Sequence, residues 1–369
     1  MLDTEKVKVL FERTLSLAKK GWGTTHPNPM VGALIVEGGE VVSEGYHVKT
    51  GHAHAEALAI SNLGRKPGSN ASIFVSLEPC STHGRTPPCV KAIIESGIKN
   101  IYIGCEDPNP NHSGAGIHLL RKAGRNVYFA PKIIKSKAMR LNFIFNHNME
   151  THKALIALKI AETANGMVSE KKGTPSQITE EVARADMMHW RRLFPAISVG
   201  SNTVLSDNPS LTSRLPSGEW CPIRLILDSR LSILKKDIPA LTVLTDKYAE
   251  YTVIITTEYG LKEKDLVERA KKLGIKLLEV DADENGRINS NGLRFALEIL
   301  KLNSVFCEGG PMLANSLLKD NQVDYLFRYR SKKIFDSVDA YPGPLLSNLK
   351  IDKAIEKKLG NDHLIHGFL

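Results

Sequence analysis

A chain of 369 residues, 42% hydrophobic and 24% charged, has the apolar content for two cores, and this balance excludes wholesale disorder. Its 49 Lys and Arg against 40 Asp and Glu leave a formal net charge of +9, but the basic residues fall in short clusters such as Lys271-Lys272 and Lys332-Lys333, the pattern of solvated faces rather than of one basic arm. The start lacks the apolar stretch of a secretory signal, no run nears the roughly 18 apolar residues of a spanning helix, and five cysteines are an odd and sparse set for a disulfide framework, so a cytoplasmic, reducing setting without a membrane span is expected.

In chain order, an amphipathic stretch over residues 5–19 predicts a helix, residues 30–36 a strand, and the segment from His54 a second helix. Residues 72–77 read as a strand, 88–95 as a helix, 100–104 as a strand and 116–122 as a helix, so the first part is α/β with helices covering a mixed sheet. A polar, amphipathic segment over 135–149 precedes a new apolar run at 152–160, which places a domain boundary near residue 150, giving domains 1–150 and 151–369. The second part alternates again, with strands at 196–200, 223–228, 252–256, 275–280 and 304–307 and helical segments between them. No short-period repeat and no long heptad run is present.

His54-Ala55-Glu56, Pro79-Cys80 and Cys89 offer one imidazole, two thiolates and a nearby carboxylate. A catalytic zinc has three protein ligands and an open position for water, whose pKa it lowers towards ~7. Displacing an amino group from a ring also needs a proton carrier, and His-x-Glu with Pro-Cys and a second Cys is the signature of zinc nucleobase deaminases, here with the cysteines spaced further apart. Residues two apart on a regular helix do not share a face, so His54 and Glu56 converge on one site only at a helix start. Pro87-Pro88 before Cys89 suits another helix start, where the dipole favours a thiolate. A closed structural zinc site remains an alternative, with His83 as a fourth ligand.

Thr25-His26-Pro27-Asn28-Pro29-Met30-Val31-Gly32, Gly51-His52-Ala53-His54-Ala55-Glu56 and Pro79-Cys80-Ser81-Thr82-His83-Gly84-Arg85-Thr86-Pro87-Pro88-Cys89 together resemble the bifunctional riboflavin-biosynthesis deaminase/reductase family. That resemblance implies a cytidine-deaminase-like, three-layer N-terminal domain that removes the 2-amino group of a diaminopyrimidinone ribosylamino 5′-phosphate. It implies zinc at His54, Cys80 and Cys89, Glu56 as proton shuttle, substrate contacts at Asn28 and His47, and a phosphate contact at Arg85. Thr82 stands where the family often has His.

Residues 200–214, Gly-Ser-Asn-Thr-Val-Leu-Ser-Asp-Asn-Pro-Ser-Leu-Thr-Ser-Arg, and Cys307-Glu308-Gly309-Gly310-Pro311 resemble the same family's reductase domain. No Gly-x-Gly-x-x-Gly is present, so a Rossmann domain is not indicated, and the resemblance implies a dihydrofolate-reductase-like α/β fold that transfers hydride from NADPH to open the ribosyl ring to a ribityl chain. By position, Arg191, Leu211, Arg214 and Glu308 would hold the substrate. Ala161, Thr203, Asp207, Gly310, Pro311, Met312, Leu313, Ala314, Asn315 and Ser316 would line NADPH. Asn165 interrupts the usual Ser-Leu-Asp-Gly, Pro175 stands at a substrate-binding serine, and an expected tryptophan is missing from residues 175–179.

The implied partners are phosphorylated pyrimidines and further copies of the chain, in a dimer or tetramer, with neither nucleic acid nor membrane involved. Alternatives are a deaminase with a vestigial second domain, a deaminase acting on nucleic acid, and a non-enzymatic zinc protein.

Overall fold

The computed structural model describes residues 3–83, 87–109, 113–235, 240–346 and 349–369, and the chain divides into two units, Met1–Lys153 and Ala154–Leu369. Among the described residues, no helix is long and apolar enough to cross a membrane.

In the first unit Asp3 caps helix α1 (Thr4–Ala18), its carboxylate accepting the Lys6 amide at 2.7 Å. Strands β1 (Gly32–Glu37), β2 (Glu40–Tyr46), β3 (Ser72–Val75), β4 (Asn100–Ile103) and β5 (Asn126–Phe129) form one sheet in the order β2-β1-β3-β4-β5. β1 runs antiparallel to β2 and β3, and β3, β4 and β5 are parallel, which is the expected mixed sheet. Alternation along the strands divides their side chains between two faces. Ala33, Ile35, Ile73, Val75, Ile101 and Ile103 join a core with residues of α2 (Ala55–Asn62), α3 (Cys89–Ser96) and α4 (Ala115–Lys122). On the opposite face Phe74 meets Phe11 of α1 edge-on at 5.1 Å. Helices α5 (Lys132–Leu141) and α6 (Phe143–Thr151) complete this three-layer unit, and α5 packs on α1. At Gly45 of β2, a Cβ would lie 2.5 Å from the Ala55 carbonyl oxygen, so the missing side chain lets the start of α2 rest directly on the sheet.

The second unit is built on a nine-stranded sheet. Its strands are β6 (Leu155–Glu162), β8 (Ala196–Gly200), β11 (Ile223–Leu227), β12 (Thr252–Thr256), β13 (Lys276–Glu279), β14 (Ser304–Cys307), β15 (Tyr325–Arg330), β17 (Asp352–Leu359) and β18 (Asp362–Phe368). Their order is β13-β12-β11-β8-β14-β6-β15-β18-β17, parallel from β13 to β15, with β18 antiparallel to β15 and to β17. Short pairs join β7 (Met167–Ser169) to β16 (Tyr341–Pro342) and β9 (Ser213–Leu215) to β10 (Gly218–Trp220). Helices α7 (Glu181–Leu193), α8 (Ser201–Asp207), α9 (Thr242–Thr245), α10 (Glu258–Leu261), α11 (Lys264–Lys272), α12 (Gly292–Ile299) and α13 (Pro311–Lys319) lie between the strands. Two apolar clusters form its core. Leu158, Leu225 and Ile255 sit in one, and Ile197, Ile226 and Ile254 in the other, as alternation on a doubly covered sheet requires.

The five strands expected in this half are all present, whereas β15, β17 and β18 have no counterpart in the sequence reading. β17 is an edge strand whose residues Asp352, Lys353, Glu356, Lys357 and Lys358 are exposed, so its sequence shows no apolar run. β15 carries Arg328 on a mostly buried strand because the neighbouring β6 offers it the buried Glu162, 2.6 Å away.

Candidate active sites

In the first unit, His54 is the N-cap of α2 with extended backbone, and Glu56 follows within the first turn. This is the helix-start placement that lets both side chains face one point. Cys89 is the first residue of α3 behind Pro88, and its amide donates to Cys80 Sγ at 3.3 Å. Cys80 thus lies at the N-terminal end of α3, where the helix dipole favours a thiolate. His54 Nδ1 is 3.6 Å from Cys80 Sγ and 3.3 Å from Cys89 Sγ, and one ligand atom from each of the three residues falls within 4.8 Å of the others. Zinc–sulfur and zinc–nitrogen bonds meeting at a tetrahedral angle place N and S about 3.6 Å apart, so the donor set fits that ion. His83 does not belong to this group among the described residues.

The electrostatics agree with a metal-binding centre. The hydrogen bond from the Cys89 thiol holds the Cys80 thiol down to about 4 against the cost of burial, with His54 adding to the effect, while the same bond and burial push Cys89 up. Burial, with the Cys80 charge beside it, raises the Glu56 carboxyl to about 7, suited to both taking and giving a proton near neutrality. His47 is buried and its pKa is lowered, chiefly by that burial. Its Nδ1–H faces the Ala53 carbonyl at 3.2 Å, which leaves Nε2 to accept from Asn28 Nδ2 at 3.3 Å, and its ring lies edge-on to His54 at 5.3 Å. Asn28, His47 and the three-donor cluster therefore meet in one place. Arg85 lies outside the described residues.

Glu78 was missed by the sequence reading. It is buried and accepts the amides of Asp107, Gly114 and Ile117 at 3.0–3.2 Å, which ties the loop leading to Cys80 to the start of α4. An acidic residue directly before Pro79-Cys80 was the available signal.

In the second unit, Arg191 near the end of α7 donates from Nε and Nη2 to Glu308 at 2.5 and 3.0 Å and from Nη1 to the Thr212 carbonyl at 2.9 Å. Its side chain is 10% exposed, so it is not a member of a solvated face. Lys159 of β6 was also missed. Its Nζ is 3.8 Å from Glu308 Oε2 and it is largely buried, and burial lowers its pKa against the pull of Glu308. Burial alone would raise the Glu308 carboxyl, but Arg191 and Lys159 hold it below the usual carboxylate range. A lone lysine inside the apolar run 154–161 was the signal for this residue.

Gly310 is the N-cap of α13 with Pro311 at its start, and a Cβ at Gly310 would lie 3.2 Å from Thr203 Oγ1. The fold thus brings together Thr203 and the segment Gly310, Pro311, Met312, Leu313, Ala314, Asn315 and Ser316, of which Met312 is exposed. Ala161 lies two residues beyond Lys159 on β6. Leu211 is buried, whereas Arg214 is exposed and donates to Ser210 Oγ at 2.6 Å. Asp207 closes α8, and no hydrogen bond among the described residues joins it to Arg191 or Glu308. Asn165 accepts from Thr163 Oγ1 at 2.6 Å and donates to the Phe335 carbonyl at 2.8 Å, so its amide pins the turn between β6 and β7.

A zinc-type donor set on a three-layer α/β unit, joined to a predominantly parallel sheet with a buried lysine, glutamate and arginine, defines a two-domain deaminase–reductase. Residues 4–105 match the cytidine and deoxycytidylate deaminase zinc-binding region, and residues 154–335 match the RibD C-terminal domain. The chain is 38% identical over 355 residues to riboflavin biosynthesis protein RibD of Actinobacillus pleuropneumoniae, covering 96% of this chain and 91% of that protein. It is 35% identical to RibD of Aquifex aeolicus, covering 95% of each. Among solved structures, it superposes with a TM-score of 0.81 on the diaminohydroxyphosphoribosylaminopyrimidine deaminase/5-amino-6-(5-phosphoribosylamino)uracil reductase of Thermotoga maritima, at 30% identity and 98% coverage of both chains. Acinetobacter baumannii RibD gives 0.79 at 26% identity, covering 100% of this chain and 99% of that one. The chain belongs to the RibD family, the bifunctional deaminase/reductases of riboflavin biosynthesis, with zinc and NADPH as cofactors and the cytidine-deaminase-like and dihydrofolate-reductase-like folds expected.

Proposed function

We propose that His54, Cys80 and Cys89 hold the zinc and that Glu56 is the proton carrier of the deamination. The observation that carries this reading is the convergence of the three donors within 4.8 Å with a buried carboxylate raised to about 7 two residues from the histidine. Zinc, when bound, activates the attacking water by lowering its pKa towards ~7. Glu56 accepts the two protons of that water in turn, passing one to the ring nitrogen and the other to the departing amino group, so that water and the aminopyrimidine become the keto ring and ammonia. Asn28, its amide oriented by His47, presents polar atoms to the ring, and Arg85 meets the phosphate. Glu56→Gln is the test: zinc content is expected to persist while ammonia release falls on the order of 10³-fold. Turnover at the parent rate would remove Glu56 from this role.

For the second unit we infer that Arg191, Leu211, Arg214 and Glu308 form the substrate side, with Lys159 beside Glu308, and that Ala161, Thr203, Asp207 and residues 310–316 form the NADPH side. NADPH supplies the hydride when bound. The exposed Arg214 fork binds the phosphate, and the Arg191–Glu308–Lys159 cluster keeps a fixed charge beside the sugar. Supplying the deaminated ribosylamino-uracil phosphate and following the loss of NADPH absorbance tests this half, and no oxidation would overturn it. The reading extends to a cytoplasmic homo-oligomer, a dimer or tetramer, with the domain boundary near residue 150. Sedimentation of the purified chain as a monomer would contradict that oligomer.

A further inference from the structure

Arg224 of β11 takes no part in the chemistry proposed above, yet it is 0% exposed. A guanidinium in such a place is very costly unless its N–H groups find acceptors. Nε donates to Thr252 Oγ1 at 3.0 Å, and Nη1 donates to Asp246 Oδ2 at 2.8 Å and to the Ser210 carbonyl at 3.2 Å. Nη2 is shared among Asp246 Oδ1 at 2.9 Å and the carbonyls of Val243 and Tyr248 at 3.1 and 2.5 Å. Among the described residues, Asp246 is the carboxylate paired with this charge. The bond to Ser210 does something else, since it reaches into the loop 208–212, which leads into β9.

That loop is held in an unfavourable backbone conformation. Asn208 has φ 41° and Leu211 φ 54°, left-handed values that leucine adopts at a cost. Leu211 is 2% exposed and its side chain belongs to the core cluster of Val204, Ile226 and Leu231, so it cannot relax by turning outward. The carbonyls on its two sides are each gripped by an arginine, that of Ser210 by Arg224 and that of Thr212 by Arg191. Thr212 Oγ1 also donates to Glu219 at 3.0 Å, and Glu219 in turn accepts from Lys247 at 3.0 Å and Tyr248 at 3.3 Å. The segment 246–248 therefore secures the loop twice, through Arg224 and through Glu219.

We infer that Arg224 is a positioning residue for the reduction, holding the Ser210 carbonyl so that Leu211 keeps its left-handed backbone and Arg214 keeps its place for the phosphorylated pyrimidine. This rests on the assignment of Leu211 and Arg214 to the substrate side proposed above. Only a planar fork reaches Asp246, Thr252 and Ser210 from one position, and lysine, with its donors on a single nitrogen, does not.

The test uses the purified full chain with zinc. Initial rates of NADPH oxidation are measured against the deaminated ribosylamino-uracil phosphate and, separately, against NADPH, for Arg224→Lys and Arg214→Ala. Ammonia release from the preceding aminopyrimidine normalises each preparation. Both variants are expected to raise KM for the pyrimidine phosphate, Arg224→Lys by about 5- to 10-fold, the loss of one buried hydrogen bond, with KM for NADPH within about twofold of the parent. A role confined to fold stability would lower the active fraction and leave both KM values alone, which overturns the inference. An effect of Arg214→Ala without one of Arg224→Lys overturns it while leaving the substrate assignment standing. No effect of Arg214→Ala removes that assignment and the inference with it. Where Arg224→Lys does not fold, Asp246→Asn, at a partly exposed position, releases the same guanidinium, and an unchanged KM for the pyrimidine phosphate then overturns the inference.

Discussion

Replacing Glu308 with Gln leaves shape and size nearly intact and removes one charge from the cluster at the centre of the reductase unit. Glu308 accepts two hydrogen bonds from Arg191 and faces Lys159, and the side chains of Arg191, Glu308 and Lys159 are only 10%, 10% and 16% exposed. With one negative and two positive groups the cluster carries a net +1, and the variant raises this to +2 without solvent to screen it. Breaking a buried pair by removing one partner costs about 3–5 kcal/mol. For a domain of this size each kcal/mol shifts Tm by about 2–4 °C, so calorimetry should show the melting of the second unit about 6–20 °C lower. NADPH oxidation should fall in parallel. The pH dependence has a definite sign. The folded-state pKa of Glu308 lies below its unfolded value, so its contribution is fully present above about pH 4.3 and is lost as pH falls through the folded pKa. The melting difference between parent and variant should therefore narrow on acidification below about pH 4. A variant that melts within 2 °C of the parent at pH 7, as if this were a surface pair, would refute the reasoning.

Removing zinc with a chelator should abolish ammonia release while NADPH oxidation on the deaminated substrate continues, because the three donors lie within the first unit; parallel loss of both activities contradicts this. Asn165→Asp keeps the acceptor but cannot donate to the Phe335 carbonyl 2.8 Å away. That loss at an exposed turn is expected to raise KM for NADPH about 2- to 5-fold, read from initial rates, and a lowered KM would show that the amide is not what holds the turn.

The two halves differ in how openly their sites are written. His54, Glu56 and Cys89 sit at helix starts announced by the spacing of His-x-Glu and by Pro87-Pro88, so local rules place them with little help from the rest of the chain, whereas Cys80, in the loop after β3, reaches the start of α3 through the Cys89 amide. Asn28 and His47 needed the strand pairing of β1 with β2 to meet. Lys159 and Glu78 escaped because each stands alone in its segment, and a single charged residue in an apolar run or before a proline does not state its partner. β17 escaped because an exposed edge strand carries polar side chains that mimic a loop, and β15 and β18 because arginine and histidine side chains interrupt their otherwise buried runs.

What the sequence by itself determined was the chemistry of the donors and the alternation of helix and strand, since both depend on residue type and on contacts a few positions apart. Only the tertiary structure decided that Arg191 is engaged with Glu308, 117 positions away, that Lys159 completes their cluster, and that Arg224 holds a carbonyl of the loop 208–212. These groups come from separate strands and helices. Sheet order, which depends on burial summed over the whole domain, is what brings them within hydrogen-bonding distance.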